Sequence, residues 1–487
     1  MGLGNNPYVN DVDNSYNQQY PLQSTISSYF GRINYAFKNK YMLNATMRAD
    51  GSSKFTGSER WGYFPSIGAA WIVSQENFMR NQHIFNSLKL KASWGKVGNA
   101  GVPTFVSTQQ TVSGGAYSVI YGNSGTVSQG VSVASIPPPP LKWEKSVGTD
   151  IGLEASVLNS RLTIEADVYN KKTQDIIMNV YLPGSAGLAN QFITTNVGDA
   201  QNQGFELSLN WHDNVNKDFS YSINGNVSYN ENKFLSNSAG GQKIYDGGSG
   251  ATGGQFTTLT TVGQPIGVFY GYRVVGIFQT AADVANYKDK SGNLFQPNAQ
   301  PGDFKYASTT GVGPISANDR VVLGNPNPKY IYGISTNFVY KQFDLSVDFQ
   351  GVAGVDVYNA NKGLRYGAEN WTQDFYNNRW HGVNTSNSYP SVNIGGGNNY
   401  WPNSWYVESG SYFRIRNMQL GYTLPNARLQ HLGIQTLRLY VNAQNAFNFF
   451  SYKGFSPEVG GSPGNIGIDN NTYPLSAIYN FGVNLSF

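Results

Sequence analysis

The chain has 487 residues, of which 14% are aromatic, 56 are glycine and only 13% are charged, against about 25% charged in globular domains. It has no cysteine and a net charge of +4, which excludes disulfides, thiol nucleophiles and zinc–thiolate sites and offers no basic patch for nucleic acid. No apolar run approaches the roughly 20 residues of a transmembrane helix.

The first 24 residues are polar and do not read as a signal peptide, because no basic stretch precedes an apolar one. We expect residues 1–24 to be an extracellular lead-in loop of a longer protein.

Apolar and polar residues then alternate with a period of two, the pattern of strands with one apolar face and one polar face. A change of phase near Arg416 and Asn417 predicts a β-bulge. The thirteen predicted strands are 25–37, 41–50, 63–73, 88–94, 151–157, 162–168, 205–211, 219–229, 334–340, 343–350, 412–424, 437–443 and 478–487.

The connections between these strands alternate between short and long. Short turns are expected at 38–40, 158–161, 212–218, 341–342 and 425–434, and long loops at 95–142, 232–329, 354–411 and 449–474. Short turns on one side and long loops on the other are typical of an outer-membrane barrel. A soluble propeller or sandwich would instead show regular spacing. The sequence therefore predicts an all-β fold, an antiparallel transmembrane β-barrel.

The last ten residues, Ile478 to Phe487, alternate strictly and end on an aromatic residue. This ending resembles the C-terminal assembly signal of bacterial outer-membrane barrels. If the short turns are periplasmic, the first visible strand begins outside the cell. Single-chain bacterial barrels have an even number of strands, so we expect residues 25–487 to be the C-terminal part of a barrel with an odd number of strands upstream.

Several short sequence motifs of this chain resemble those of the SusC/RagA-like TonB-dependent transporters of Bacteroidetes outer membranes. They follow the order of that family along nearly the whole chain. The phrases are YFGRINY at 29–35, RADGSSKF at 48–55, WGYFPS at 61–66, LKLKASWGKVGN at 88–99, LKWEK at 141–145, NVGDAQNQGFEL at 196–207, FYGY at 269–272, PGDFKY at 301–306, DR at 319–320, YFRIRN at 412–417 and YVNAQN at 440–445.

This resemblance implies a 22-stranded barrel, of which this chain would supply about the last 13 strands. The N-terminal plug and the segment that contacts the TonB complex would lie upstream and be absent from this chain. A SusD-like lipoprotein lid would be the partner on the cell-exterior side. The implied function is import of large nutrients, oligosaccharides or peptides, across the Gram-negative outer membrane.

Two other functional classes are weighed against import. A passive outer-membrane pore or a surface-binding barrel would be built from the same kind of antiparallel strands. An outer-membrane enzyme would need a convergent acid/base or nucleophile set, and the loops offer none, so no catalytic residue is predicted.

Charged residues on the polar face are expected to line a wet interior and contact the plug. They are Arg48, Lys89, Lys91, Glu165, Asp167, Glu206, Asp344 and Asp348.

Aromatic residues in the long loops are the candidate substrate-binding residues, because sugar rings and peptide side chains stack on such rings in concave sites. Loop packing or contact with the lid is the alternative role. The loop at 269–306 is assigned mainly to the lid. The candidates are Trp371, Trp380, Tyr400, Trp401 and Trp405.

No metal site and no cofactor are predicted. Asp11 and Asp13 have calcium-loop spacing, but Tyr16 stands where glycine is needed. The resembling family often has an Asp/Asn-rich stretch after PGD, and the stretch Ala307 to Gly313 lacks the carboxylates that a hard cation requires.

Overall fold

The computed structural model describes residues 24–102, 110–113, 119–121, 125–128, 130–135, 138–182, 184–187, 192–238, 243–248, 254–363, 370–392, 397–425 and 433–487. The lead-in expected at 1–24 lies outside the described residues except for its last one.

A single wall of thirteen strands dominates the described chain, and the count agrees with the number predicted. All strands are numbered in chain order. The wall strands are β1 (Ile26–Phe37), β2 (Tyr41–Ser52), β3 (Trp61–Ile72), β4 (Phe85–Asn99), β9 (Glu144–Val157), β10 (Leu162–Tyr181), β11 (Phe192–Asn216), β12 (Phe219–Asn237), β19 (Tyr330–Tyr340), β20 (Phe343–Ala353), β23 (Tyr412–Thr423), β24 (Thr436–Phe450) and β26 (Ile478–Ser486).

Each wall strand pairs antiparallel with its sequence neighbour in the wall, from β1 at one edge to β26 at the other. The β1–β2 ladder runs without interruption from Ile26 opposite Ser52 to Phe37 opposite Tyr41. Among the described residues, β1 and β26 pair on one side only.

Short turns and long loops alternate as predicted, but several strands are longer than their apolar pattern. β4 continues to Asn99 and β12 to Asn237, so the loops expected at 95–142 and 232–329 begin later. The β10–β11 hairpin also extends far beyond the predicted 162–168 and 205–211. These extensions carry polar residues on both faces. A ladder that continues into water keeps its hydrogen bonds but loses the period-two signal.

The outward face carries two rows of stacked aromatic rings. Near the short turns, Tyr221 lies 6.3 Å from Phe338 between ring centroids. Near the long loops, Tyr229 lies 5.8 Å from Phe205 and 5.2 Å from Tyr330. Tyr221 and Tyr229 are both on β12, which places the rows about 20 Å apart along the barrel axis when strand rise and tilt are applied. This spacing matches the apolar band and girdles of outer-membrane barrels.

The inward face carries the predicted charges, and many of them pair. Lys91 Nζ lies 2.6 Å from Glu165 Oε1 and 2.9 Å from Asp167 Oδ1. Lys89 Nζ lies 2.5 Å from Glu154 Oε2. The network joins β4, β9 and β10, and its two lysines are held by three carboxylates, so this interior surface is paired but keeps an excess of negative charge.

The β-bulge predicted near Arg416 and Asn417 is present. The β23–β24 register shifts between Ile415 and Asn417, and the β20–β23 register shifts between Asp348 and Phe349. The extra residue restores the apolar phase on the outward side of β23.

The long loops fold into small sheets above the wall, which we call the loop layer (residues 243–248, 254–329, 354–363, 370–392, 397–411 and 451–477). One sheet has the order β13-β14-β15-β18, a second pairs β16 with β17, and a third has the order β22-β21-β25. The short strands are β5 (Gln110–Ser113), β6 (Val119–Tyr121), β7 (Thr126–Ser128), β8 (Val131–Ser135), β13 (Ile244–Asp246), β14 (Thr258–Thr260), β15 (Val268–Gly271), β16 (Val274–Ile277), β17 (Phe304–Tyr306), β18 (Val321–Gly324), β21 (Asp356–Asn359), β22 (Val407–Ser409) and β25 (Ile468–Asp469).

Two six-residue helices, α1 (Ala281–Asn286) and α2 (Gln373–Asn378), lie in the loop layer. In the described part of the chain, no helix has the length and apolar character needed to cross a membrane.

Residues of β20 alternate between the outward and the inward face, so neighbouring residues should differ in how well they tolerate a charge. Val347 lies on the outward side, whereas Ser346 pairs with the polar residues Asn337 and Gln419. We expect Val347→Arg to cost about 2–4 kcal/mol because it places a charge in lipid, and Ser346→Arg to cost much less. The amount of heat-modifiable, assembled barrel formed by each variant of the full-length protein would report this difference. Equal losses of assembled barrel in the two variants would contradict the assignment of Val347 to the outward face and Ser346 to the inward face.

Candidate functional site

The candidate aromatic residues all lie in the loop layer, but they do not form one surface. Tyr400 is buried, with 5% of its surface exposed. Trp401 lies 5.0 Å from Tyr272 and 5.9 Å from Tyr306 between ring centroids. Both residues therefore belong to the packing of the loop layer, which is the alternative role considered for them.

Trp380 also contributes to packing. Its Nε1 donates to Gln279 Oε1 at 3.1 Å. The α-carbon of Gly302 approaches the ring so closely that an added Cβ would lie 2.5 Å from Trp380 Cε3. Gly302 has a φ of +94°, a conformation that glycine adopts without strain. The PGDFKY phrase is thus a packing motif around this ring.

Trp371 and Trp405 line one small pocket, which we call the Trp371 pocket. Trp371 stacks on Phe375 of α2 with 4.2 Å between ring centroids. Trp405 lies edge-on to Phe375 and to Tyr389. The pocket is lined by Asn359, Asn361, Lys362, Trp371, Thr372, Asp374, Phe375, Tyr389, Trp405 and Lys453.

Lys362 lines one side of the pocket and forms a half-buried ion pair with Glu408 behind it. Lys362 Nζ lies 3.0 Å from Glu408 Oε1, donates to Trp405 O at 2.7 Å, and lies 3.9 Å from the centroid of the Trp405 ring. Burial lowers the pKa of Lys362, and the negative charge of Glu408 opposes this shift. The lysine covers the Trp405 ring, so that face is occupied by the protein itself.

The opposite wall is a polar group formed by Asp374, Tyr389 and Lys453. The Tyr389 hydroxyl donates to Asp374 Oδ2 at 2.5 Å, and Lys453 Nζ donates to the Tyr389 hydroxyl at 2.6 Å. These bonds lower the pKa of Asp374, chiefly through Tyr389. They raise the pKa of Lys453, again chiefly through Tyr389. Both groups are therefore charged at neutral pH and present fixed hydrogen-bonding positions.

The pocket has a volume of about 80 Å³, and one water occupies about 30 Å³ in the liquid. It can hold a single side group of a larger molecule and not a whole sugar ring. Asn359 is 2% exposed, and its Oδ1 has no hydrogen-bond partner among the described residues. An arriving donor would satisfy this buried acceptor.

The sequence predicted only the two tryptophans of this pocket. Lys362, Glu408, Asp374, Tyr389 and Lys453 were missed. They come from five separate positions in two loops, each at least 12 residues from the next, and no local pattern links them.

The loop at 307–319 holds its buried carboxylate with the protein's own donors. Asp319 accepts from the backbone N–H groups of Thr309, Thr310 and Ser316 at 2.8, 3.1 and 3.0 Å. Within the described residues, no group of three or more Asp, Glu or His side chains is arranged to hold a metal ion. Asp11 and Asp13 lie outside the described residues.

The lowered pKa of Asp289 predicts that the stability of the loop around it depends on pH. Hydrogen bonds, first from the Asn293 side chain and then from the Gly313 N–H, lower its pKa to about 2. A carboxylate with a lowered folded-state pKa contributes stability above its unfolded pKa of about 4 and loses it as the pH falls through the folded value. We expect the hydrogen-exchange protection factors at 289–313, which are corrected for the pH dependence of intrinsic exchange, to fall between about pH 4 and pH 2. Asp289→Asn should remove this step, and an unchanged step in that variant would contradict the assignment.

The comparisons with known proteins agree with this architecture. The family model described as TonB dependent receptor-like, beta-barrel matches residues 2–446. The TonB-dependent receptor P26 of Formosa agariphila is 34% identical over 471 residues, covering 95% of this chain and 46% of that protein. The TonB-dependent receptor SusC of Bacteroides thetaiotaomicron is 29% identical over 481 residues, covering 96% of this chain and 44% of that protein.

Among solved structures, the RagAB peptide transporter aligns with a TM-score of 0.74 at 24% identity, covering 95% of this chain and 47% of that chain. This likeness confirms the fold. The chain spans about half the length of the curated relatives it matches. The wall, the family model and the relatives together show that this chain belongs to the TonB-dependent receptor-like β-barrel family.

Proposed function

We propose that this chain forms the C-terminal part of a 22-stranded outer-membrane barrel that imports large nutrients, oligosaccharides or peptides. Barrels of this size in the outer membrane have a plugged lumen. Residues 1–24 would be an extracellular loop, and the plug and the TonB-contacting segment would lie in the preceding part of the protein. The relatives named TonB-dependent receptor and SusC, and the fold of the RagAB peptide transporter, support this assignment.

The observation that carries the proposal is the folded loop layer on one side of the wall. A passive pore needs only loops that close its strands, whereas here the loops bury an aromatic core and shape pockets. Tyr306, Tyr358 and Tyr406 are each at most 2% exposed in this layer. Ordered long loops of this kind are usually functional.

Dependence on TonB is the experiment that separates import from the alternative, a passive pore or surface-binding barrel. Cells that carry the full-length protein should take up their nutrient only when TonB and the proton gradient are intact. Uptake that continues without TonB would support the pore, and binding without uptake would support the surface-binding barrel.

The Trp371 pocket is the proposed contact for one side group of the substrate. Stacked aromatic contacts contribute about 0.5–1.5 kcal/mol, so Trp371→Ala should lower the rate of uptake about threefold to tenfold at limiting substrate. Tyr376 lies on α2 beside Phe375, the residue on which Trp371 stacks; it is 59% exposed and outside the pocket. Tyr376→Ala is therefore the matched control. Equal effects of the two changes would exclude the pocket from binding. The other candidates, Trp380, Tyr400, Trp401 and Trp405, would act indirectly by holding the loop layer.

A SusD-like lipoprotein is the proposed lid over the loop layer. The FYGY side chains are unsuited to direct contact, because Phe269, Tyr270 and Tyr272 are buried. Val275, in the same loop, is 53% exposed. Val275→Asp should weaken co-purification of the lid while the barrel still assembles. Unchanged co-purification would assign the lid to another surface.

A further inference from the structure

A larger cavity lies on the inward face of the wall, at the end where the long loops begin. Its volume is about 480 Å³, which is within the range of small-molecule sites. Thr173 of β10, Asn202 of β11 and Asn232 of β12 form its wall side. Asp246 of β13 and Gly464 of the last loop form its other side.

The protein's own contacts hold the cavity open. Asn232 Oδ1 accepts from the Ile266 N–H at 2.9 Å, which fixes one loop to the wall. Thr258 Oγ1 donates to Gly464 O at 2.6 Å, which joins that loop to the last one. Behind them, Ile176, Met178 and Phe234 of the wall pack with loop residues of the same apolar cluster. The shape is therefore formed before any ligand arrives.

Glycine at position 464 leaves room for the side chains of Asp246 and Met178. A Cβ there would lie 2.8 Å from Asp246 Oδ2 and 3.2 Å from Met178 Cε. The bare backbone lets the last loop pass close to the wall while Asp246 remains at the cavity surface.

The charged residues that line the cavity are all acidic. Among its described lining residues, the charged side chains are Glu144 and Asp246, and no lysine or arginine is included. Lys145 and Lys172 alternate with inward residues and lie near Asp175 and Asp199 at 3.8 and 3.1 Å. Lys171 stands opposite Asn202 in the β10–β11 ladder, so it lies on the inward face beside the cavity without lining it.

The loops beside the cavity carry few charges of their own. The stretches 97–141 and 176–198 contain no Lys, Arg, Asp or Glu, and Lys54 reaches the first stretch, where its Nζ donates to Ala100 O at 3.2 Å. The two lining carboxylates are therefore the charges at the cavity surface, and Lys54 and Lys171 weaken their negative potential from outside it.

We infer that this cavity receives an uncharged or cationic segment of the transported substrate and repels anionic segments. The inference rests on the proposed import function and adds the charge class of the substrate. Asn99, Asn179 and Asn202 offer amide groups to hydroxyls and amides of a neutral ligand. A carboxylate or sulfate entering the same space would meet two like charges where water is partly excluded, which strengthens the repulsion.

This chain contains no cysteine, so a thiol introduced into it can be labelled alone once any cysteine elsewhere in the full-length protein has been replaced by serine. In the full-length transporter, Thr173→Cys would place one thiol on the cavity wall. Its reaction rates are measured with two methanethiosulfonate reagents of similar size, one with a trimethylammonium group and one with a sulfonate group. Ser58→Cys is the control, because Ser58 is exposed between loops and lies beside the oppositely charged Glu59 and Arg60.

We expect the ratio of cation to anion rates at Thr173→Cys to exceed the ratio at Ser58→Cys by about tenfold at low salt. Adding Glu144→Gln and Asp246→Asn should bring the ratio down to that of Ser58→Cys. Asp246→Asn alone, which leaves the wall intact, should lower it partly. Equal ratios in the parent proteins, or a ratio that the amide variants leave unchanged, would overturn the charge selection.

A second readout tests whether substrate uses the cavity. Labelling Thr173→Cys with the trimethylammonium reagent should abolish most nutrient uptake, and labelling Ser58→Cys should not. Unimpaired uptake after complete labelling at position 173 would place the cavity outside the substrate path. That result is distinct from failure of the import proposal, which would appear as uptake without TonB in unlabelled protein.

Discussion

Backbone hydrogen bonds are the constraint on which this structure depends. In lipid, each strand must pair its N–H and C=O groups with neighbouring strands, because no water can replace them. The ladders between wall strands run almost without interruption, and register shifts occur where bulges change the phase. Once the ladder is fixed, alternation assigns apolar rings to one face and the pairs of Lys89 and Lys91 to the other.

The loop layer is stabilised by a different principle. It has no membrane to force its pairing, so it buries aromatic rings and satisfies their polar atoms with asparagine side chains. Asn403 donates to Trp401 O at 2.8 Å and accepts from the Trp405 N–H at 2.9 Å. Asn399 donates to Asp303 Oδ1 at 2.9 Å, although burial raises the pKa of that acid. Hydrogen-bond networks of this kind rigidify what would otherwise be long flexible connections.

Charge is arranged differently along the interior of the wall. Towards the short turns, Lys89 and Lys91 lie within 3 Å of three carboxylates, those of Glu154, Glu165 and Asp167. At the cavity near the long loops, Glu144 and Asp246 are the charged lining residues, and Lys54 and Lys171 lie nearby without lining it. Side chains held in ion pairs suit a permanent protein neighbour, whereas the lining carboxylates can act on whatever enters from outside. The two ends of the interior are therefore suited to different contacts.

The amino-acid sequence by itself determined the thirteen strands, their inward and outward faces, the bulge near Arg416 and the side on which the loops are long. These features are local, because a period of two is visible within a few residues. The tertiary structure alone decided that Trp401 is packed while Trp371 lines a pocket. It also decided which charged residues meet in the Trp371 pocket, where Lys453 contacts Asp374 across 79 residues of sequence. In the larger cavity it joined Thr258 to Gly464 across 206 residues. Such contacts depend on how loops fold over a completed wall, and no local pattern encodes them.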